Sequence, residues 1–340
     1  MFVVRPSNFA DLTSIERLLS ETEARVTTLP KERNKLSQKI SESDDGFRST
    51  NSPESPENPA SFLFVLEDTE SQTVHGTAGI EAEAGSGYPF FNYRLDEIVH
   101  ASHHLNIKSK VPVLFLSHEL TGRTLLRSFT IEPELKETDA FDLLSRARLM
   151  YLATSPERFH QEIIVEIQGV FDDKEVCPFW DAVGRKYFDL DFPTADYYCS
   201  VKSKTFMSEL IPQHPVYVPL LPDEAAANIG RNHPAANRTC QLLYSEGLHK
   251  SKFIDPFDGG PVLKGQLNYT RTYSGIKFKK VRPSEVIGGM KYLISNQSHQ
   301  YFRCAIGTLV DGIGDTIRIP LDVAEALNIR DGDTIAYSPL

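Results

Sequence analysis

Cysteine is scarce in this chain. Four are present among 340 residues (Cys177, Cys199, Cys240 and Cys304), and no two form a CxxC pair. That spacing gives no zinc pattern, so no metal is expected, and it fits reduced thiols. Long apolar runs are also lacking. No stretch approaches the ~20 residues that span a bilayer. The opening MFVVRPSNFADL has no basic segment followed by an apolar run. A cytoplasmic protein without signal peptide or membrane contact is therefore expected. Clustered positive charge is absent as well. Lys and Arg number 36 against 46 Asp and Glu, a formal net charge of −10. Neutralising phosphates needs grouped cations, so nucleic acid is not expected as a partner.

What is present reads as an α/β (α+β) protein, a mixed sheet flanked by helices. Phe2 to Val4 suits a short strand. Asp11 is placed to cap a helix with Leu12, Ile15, Leu18 and Leu19 on one face. Glu32 to Lys39 is charged and helical in pattern. Residues 41–60, rich in Ser, Glu, Asp, Asn and Pro, read as a mobile surface loop. SFLFVLED and TVHGTAGIEAEA form a hairpin, and 88–118 a second extended region. His100, His103, His104 and His118 in that region have no carboxylate or cysteine at ligand spacing.

The stretch TLLRSFTIEPELKETDAFDLLSRARLMYLA, residues 124–153, organises the rest. Its first part suits a buried strand that Pro133 ends. A polar loop follows, then Leu143, Ala147, Met150 and Tyr151 recur at helical spacing. A helix opening beside a strand end offers free N–H groups to a phosphate. Acyl-CoA N-acyltransferases of the GNAT superfamily hold the CoA pyrophosphate in this way, although a strand, loop and helix alone are common. After EIIVEIQGV, a buried strand, Asn232-His233-Pro234 opens another helix. FIDPFDGGPVLKGQL returns as strand, tight turn and strand. The last sixty residues contain short strands around the helix LDVAEALNI. They suggest a small β-barrel module over 280–340, with 1–279 as the acyltransferase-like domain.

Several blocks carry a closer resemblance: RPSNFADL, NYRLDEIVHASHHLNI, VEIQGVFDDKEVCPFWDAVGRKYF, LIPQHPVYVPLLP and NHPAANRTCQLLYSEGLHKSKFIDPFDGGP. They look like the arginine N-succinyltransferase family, and the similarity runs along the whole chain. The resemblance implies a GNAT-like fold and transfer of succinyl from succinyl-CoA, the co-substrate, to the α-amine of L-arginine. That is the first step of a succinyl-transfer route of arginine breakdown. It also implies a homo-oligomer, or a heteromer with a paralogous chain. Another amine such as ornithine, or a non-catalytic subunit, stays open as an alternative.

By the same resemblance His233 matches the family's proton donor and Phe129 a contact to succinyl-CoA. Ile131 and Lys136 are the neighbouring candidates for donor contact. In one respect the chain departs from GNAT enzymes: the loop Glu134 to Ala140 has no glycine, which makes backbone approach to a phosphate harder. A histidine before Pro234 can also serve as a helix cap. A guanidinium prefers bidentate carboxylates, and Glu81, Glu83, Glu166, Asp255 and Asp258 are the candidates. Arg94 is the candidate cation for the succinyl carboxylate.

Overall fold

The computed structural model describes residues 1–21, 29–49, 60–172, 174–201, 210–211, 214–285, 288–312 and 314–340, with the side chains of 199–201 outside the description. Its centre is built on alternation. Strand β1 is Phe2–Pro6, β2 Ser61–Asp68 and β3 Thr73–Glu81, all paired antiparallel. In β2 the side chains of Phe62, Phe64 and Leu66 join one core cluster, while Leu63 and Val65 join another. A strand with both faces apolar needs helices on both. Helices α1 (Leu12–Glu21) and α2 (Arg33–Arg48) cover the Leu63 face with Leu12, Ile15, Leu36 and Ile40.

Two local expectations change here. Asn8, not Asp11, starts the first helical segment: its side chain accepts the Ala10 N–H, and Asp11 answers as the far half of a capping box. Asp11 also holds Arg5, which reaches Glu67 as well. Residues 41–48, read as loop, are the second half of α2. Ile40, Ser43 and Phe47 bury there, and Ser43 Oγ accepts the Leu63 N–H at 2.7 Å. Gly46 suits that close approach, since a Cβ would meet the Ser61 carbonyl oxygen at 2.4 Å. Residues 50–59 of the expected loop lie outside the described residues.

The second extended region, 88–118, is an antiparallel hairpin of β4 (Asn92–Ser102) and β5 (Ile107–Ser117). Strand β6 (Thr124–Ile131) pairs antiparallel with β3, and β7 (Glu162–Glu166) lies parallel to β6. Between them α3 (Asp139–Leu152) crosses the Phe62 face, where Leu143, Leu144, Ala147 and Met150 bury. Short helices follow: α4 (Pro178–Ala182), α5 (Gly184–Phe188), α6 (Phe192–Val201) and α7 (Asp223–Asn228). A two-residue strand, β8 (Val216–Tyr217), edges β5. Helix α8 (Asn237–Ser245) precedes β9 (His249–Ile254) and β10 (Pro261–Gln266), which extend the sheet from β7.

The C-terminal strands are β11 (Lys277–Pro283), β12 (Lys291–Ser295), β13 (Cys304–Thr308), β14 (Val310–Asp311), β15 (Thr316–Ile319) and β16 (Thr334–Pro339). Among the described residues they pair in the open order β14-β15-β11-β16-β12-β13 and continue into the main sheet through β13 and β1. Leu293, Phe302, Cys304 and Ala336 join the same core as β2 and α3. Arg146 of α3, 2% exposed, pairs with Glu246 and donates to the Pro339 carbonyl. The architecture is a mixed α/β fold around one large, mostly antiparallel sheet.

Candidate active site

Strands β6 and β7 are paired only at Thr124–Ile163 and Leu125–Ile164. Beyond that they part. The chain after β7 is drawn the other way, because β10 pairs with all of β7 and Ile167 donates to the Pro261 carbonyl at 3.0 Å. A wedge opens between Phe129 on one side and Gln168 on the other. On the first side β6 carries a register shift against Thr77–Gly79, and Ser128 takes φ 53°, a left-handed conformation rare for a side-chain residue. Phe129 is half-buried. Its ring meets Phe141 edge-on at 5.0 Å, and the Arg148 guanidinium lies 5.2 Å from its centroid. Arg148 is 1% exposed and bonded to Ser145 of its own helix; burial lowers its pKa to about 9.

His233 stands on the second side. Its backbone N–H donates to the Gln168 carbonyl at 2.8 Å, and its ring meets Phe171. The ring's Nδ1 accepts the Ala235 N–H at 3.2 Å, capping a 3-10 turn at Pro234–Ala236 that leads into α8. A nitrogen that accepts must carry the lone pair, so a neutral ring has its proton on Nε2. The cap and the ring's free edge are thus compatible: one nitrogen holds the turn and the other is a donor.

The FDGGP block braces this arrangement. Asp258 accepts the N–H groups of Gly169 at 2.7 Å and Gly260 at 2.8 Å, and Gly230 donates to the Gly259 carbonyl. Burial first, and then Asp255, push the Asp258 carboxyl well above its ordinary range. Asp255 accepts the Phe257 and Asp258 N–H groups. Two of the glycines are demanded by contact: a Cβ on Gly260 would lie 2.0 Å from the Ile167 carbonyl oxygen, and one on Gly169 would lie 2.3 Å from that of Asp258.

The other sequence candidates scatter. Ile131 is 3% exposed in the core, so only its backbone can face a ligand. Lys136 is half-buried at the end of the turn Pro133–Leu135. Thr138 caps α3, and the acids of its first turn are answered by cations: Asp139 by Lys291 at 2.5 Å, Asp142 by Arg238 at 2.7 Å. Arg94 is engaged by Asp96 and Glu119 at the rim of β4. Glu166 accepts from Asn92 at 2.9 Å, Glu81 pairs with Arg127, and Glu83 is exposed. Lys39, Arg127 and Gln168 carried no signal in the sequence beyond their charge or polarity. Among the described residues, no group of three or more His, Cys, Asp or Glu is placed to hold a metal, and no helix is long and apolar enough to cross a membrane.

Known proteins share both sequence and shape with this chain. Residues 2–272 match the family described as "Arginine N-succinyltransferase beta subunit", and residues 279–339 match that family's C-terminal domain. "Arginine N-succinyltransferase subunit alpha" of Pseudomonas aeruginosa is 38% identical over 98% of each chain. "Arginine N-succinyltransferase" of Salmonella arizonae is 33% identical over 98% of this chain and 96% of its own. The solved structure of arginine/ornithine succinyltransferase subunit AI from Pseudomonas aeruginosa superposes with a TM-score of 0.91 at 36% identity, covering 100% of this chain and 98% of that one. This chain belongs to the arginine N-succinyltransferase family.

Proposed function

We propose that the wedge between β6 and β7 takes the thioester of succinyl-CoA and passes its succinyl group to the α-amine of L-arginine. The enzyme is an acyltransferase. Its central β3, β6, α3 and β7 unit is GNAT-like in this reading, with residues 280–340 a C-terminal module. The separate matches at 2–272 and 279–339 support that division. The single observation that carries the chemistry is the His233 N–H on the Gln168 carbonyl, which sets the imidazole on the far side of the wedge from Phe129.

Backbone N–H groups of the bulged β6 around Phe129 are the donors for the oxyanion that forms when the amine attacks. The new C–N bond forms as the C–S bond breaks. The sulfur leaves as thiolate and needs one proton; the amine must give one up. His233 Nε2 donates to the sulfur and recovers a proton from the amine nitrogen, so the step balances without a further acid. The neutral ring with its proton on Nε2 is poised for that order. Succinyl-CoA lies along β6 toward the start of α3, with Lys136 nearest its phosphates. Glu166 and Asp258 remain candidates for the guanidinium, though both already accept hydrogen bonds from Asn92 and from Gly169 and Gly260.

Thiol release from succinyl-CoA with arginine, ornithine and unrelated amines tests the reading. Arginine should be the preferred acceptor. Preference for ornithine would move the assignment to that amine, a second reading supported by the solved relative, which is named for both amino acids. Donor binding without release for any amine would mark a non-catalytic chain. The subunit names of the relatives support assembly with further copies or a paralogous chain.

A further inference from the structure

On the α2 face of the sheet, away from α3, one small pocket is lined by Lys39 of α2 and Arg127 and Ser128 of β6, with Leu29, Leu63 and Gly79. The pocket sits at the bulge. The register shift falls between Thr77 and Gly79, and Ser128 takes its left-handed backbone there. The extra residue of the bulge breaks the alternation that would otherwise set Arg127 and Phe129 on one face. Leu126 and Phe129 both pack on the α3-side core, while Arg127 and Ser128 line the pocket on the other.

Two cations converge in this space. Arg127 is paired with Glu81. Lys39 makes no hydrogen bond or ion pair with any described residue. The Arg127 charge, and then burial, hold its amine down at about 7. Glu42, one turn on in α2, pulls the other way, but it is exposed and takes a hydrogen bond from Gln38. Glu166 also acts on Arg127 from β7. An anion between Lys39 and Arg127 would relieve their repulsion and accept charge-assisted bonds from both. Leu29 and Leu63 give the space an apolar wall.

We infer that this pocket receives the free carboxylate of the acyl group, and that Lys39 is the specificity residue for a dicarboxylic donor. The inference rests on the reading of the wedge as the thioester site. Two methylenes separate the thioester carbon of a succinyl group from its carboxylate, about the 3.8 Å that separates neighbouring Cα atoms. With the carbonyl at the Phe129 backbone, the carboxylate reaches the space lined by the adjacent Ser128 and Arg127. The acceptor's own α-carboxylate has the same chemistry, so the test must separate the two sources.

Wild type and Lys39→Met are compared with succinyl-CoA and with butyryl-CoA, which lacks the distal carboxylate. Each is paired with arginine and with agmatine, which lacks the α-carboxylate. Calorimetric binding of both CoA esters reads the pocket apart from turnover. Lys39→Met should weaken succinyl-CoA binding and kcat/KM by roughly 10- to 100-fold, the worth of a charge-assisted bond. Butyryl-CoA and the arginine-to-agmatine ratio should stay unchanged, and Lys39→Arg should restore much of the loss. Equal losses with both esters would overturn the inference, as would a loss confined to arginine over agmatine, which would give the pocket to the acceptor. Failure of wild type to release thiol sinks the functional reading instead, while the two binding measurements still decide the pocket.

Discussion

Strand β6 has two neighbours and treats them differently. Against β3 it is paired from Leu125–Glu81 to Ile131–Gly76, interrupted by a single register shift. Against β7 it is paired for two residues and then leaves. The first flank is closely packed: at Gly76 a Cβ would come within 2.8 Å of the Thr130 carbonyl oxygen. The second flank is open, because β7 is committed to β10 and the FDGGP turn. A sheet that kept both ladders would be more regular and would have no wedge. The difference teaches that the site arises where pairing is withheld, and that withholding it needs a brace on the far side.

The largest effect should come from removing the support behind the closed flank. A chain ending at residue 279 loses β12, β13 and β16, and with them Leu293 and Phe302 from the shared core. Burying each such side chain contributes about 1.5–3 kcal/mol, against a typical net stability of about 5–15 kcal/mol. The truncated chain should be insoluble or lack a cooperative thermal transition. A soluble, monodisperse and active truncation would show that the two parts are independent.

His233→Ala acts on the open flank. Turnover should fall roughly 10²- to 10⁴-fold, the usual worth of a positioned acid–base group, with succinyl-CoA affinity little changed. His233→Asn sharpens the test, since Asn can accept the Ala235 N–H as Nδ1 does. It should recover the stability lost with the cap, about 0.5–2 kcal/mol, and leave turnover low. Recovery of activity in the Asn variant would assign His233 to capping alone.

Gly260→Ala attacks the brace. Its Cβ would meet the Ile167 carbonyl oxygen at 2.0 Å and Asp258 Oδ1 at 2.8 Å. Overpacking of this kind costs about 1–3 kcal/mol, readable by chemical denaturation, and turnover should drop as Gln168 and His233 shift. A variant as stable and active as wild type would mean the turn does not set the wedge. The smallest effect is expected for Phe129→Leu. Losing the edge-on contact with Phe141 should cost about 0.5–1.5 kcal/mol. KM for succinyl-CoA should hold within about twofold if the backbone makes the contact, whereas a much larger rise would give the contact to the ring.

Much of this was legible in the chain itself, and the failures are instructive. The hairpins, the β6 strand, α3 and the strand–turn–strand around FDGGP follow from alternation, helical spacing and glycine. Residues 41–48 did not read as helix, since Ser, Asp and Gly disfavour helix interiors; burial of Ile40 and Phe47 decided the matter. Arg94 read as an available cation, but Asp96 and Glu119 converge on it only once β4 and the turn after β5 meet. Lys39 read only as the last charge of a charged, helical stretch, until α2 was laid beside Arg127.

By itself the sequence determined the type of nearly every central element, the apolar faces and, through blocks such as NHP and FDGGP, the family. These depend on residues within a few positions of one another. The tertiary structure decided which strands pair and where pairing stops. It brought Gln168 to His233 and Asp258 to Gly169, and set Lys39 beside Arg127. Those contacts join residues far apart along the chain. Each depends on the register of a strand and on the burial of charge, quantities that exist only after the sheet has formed.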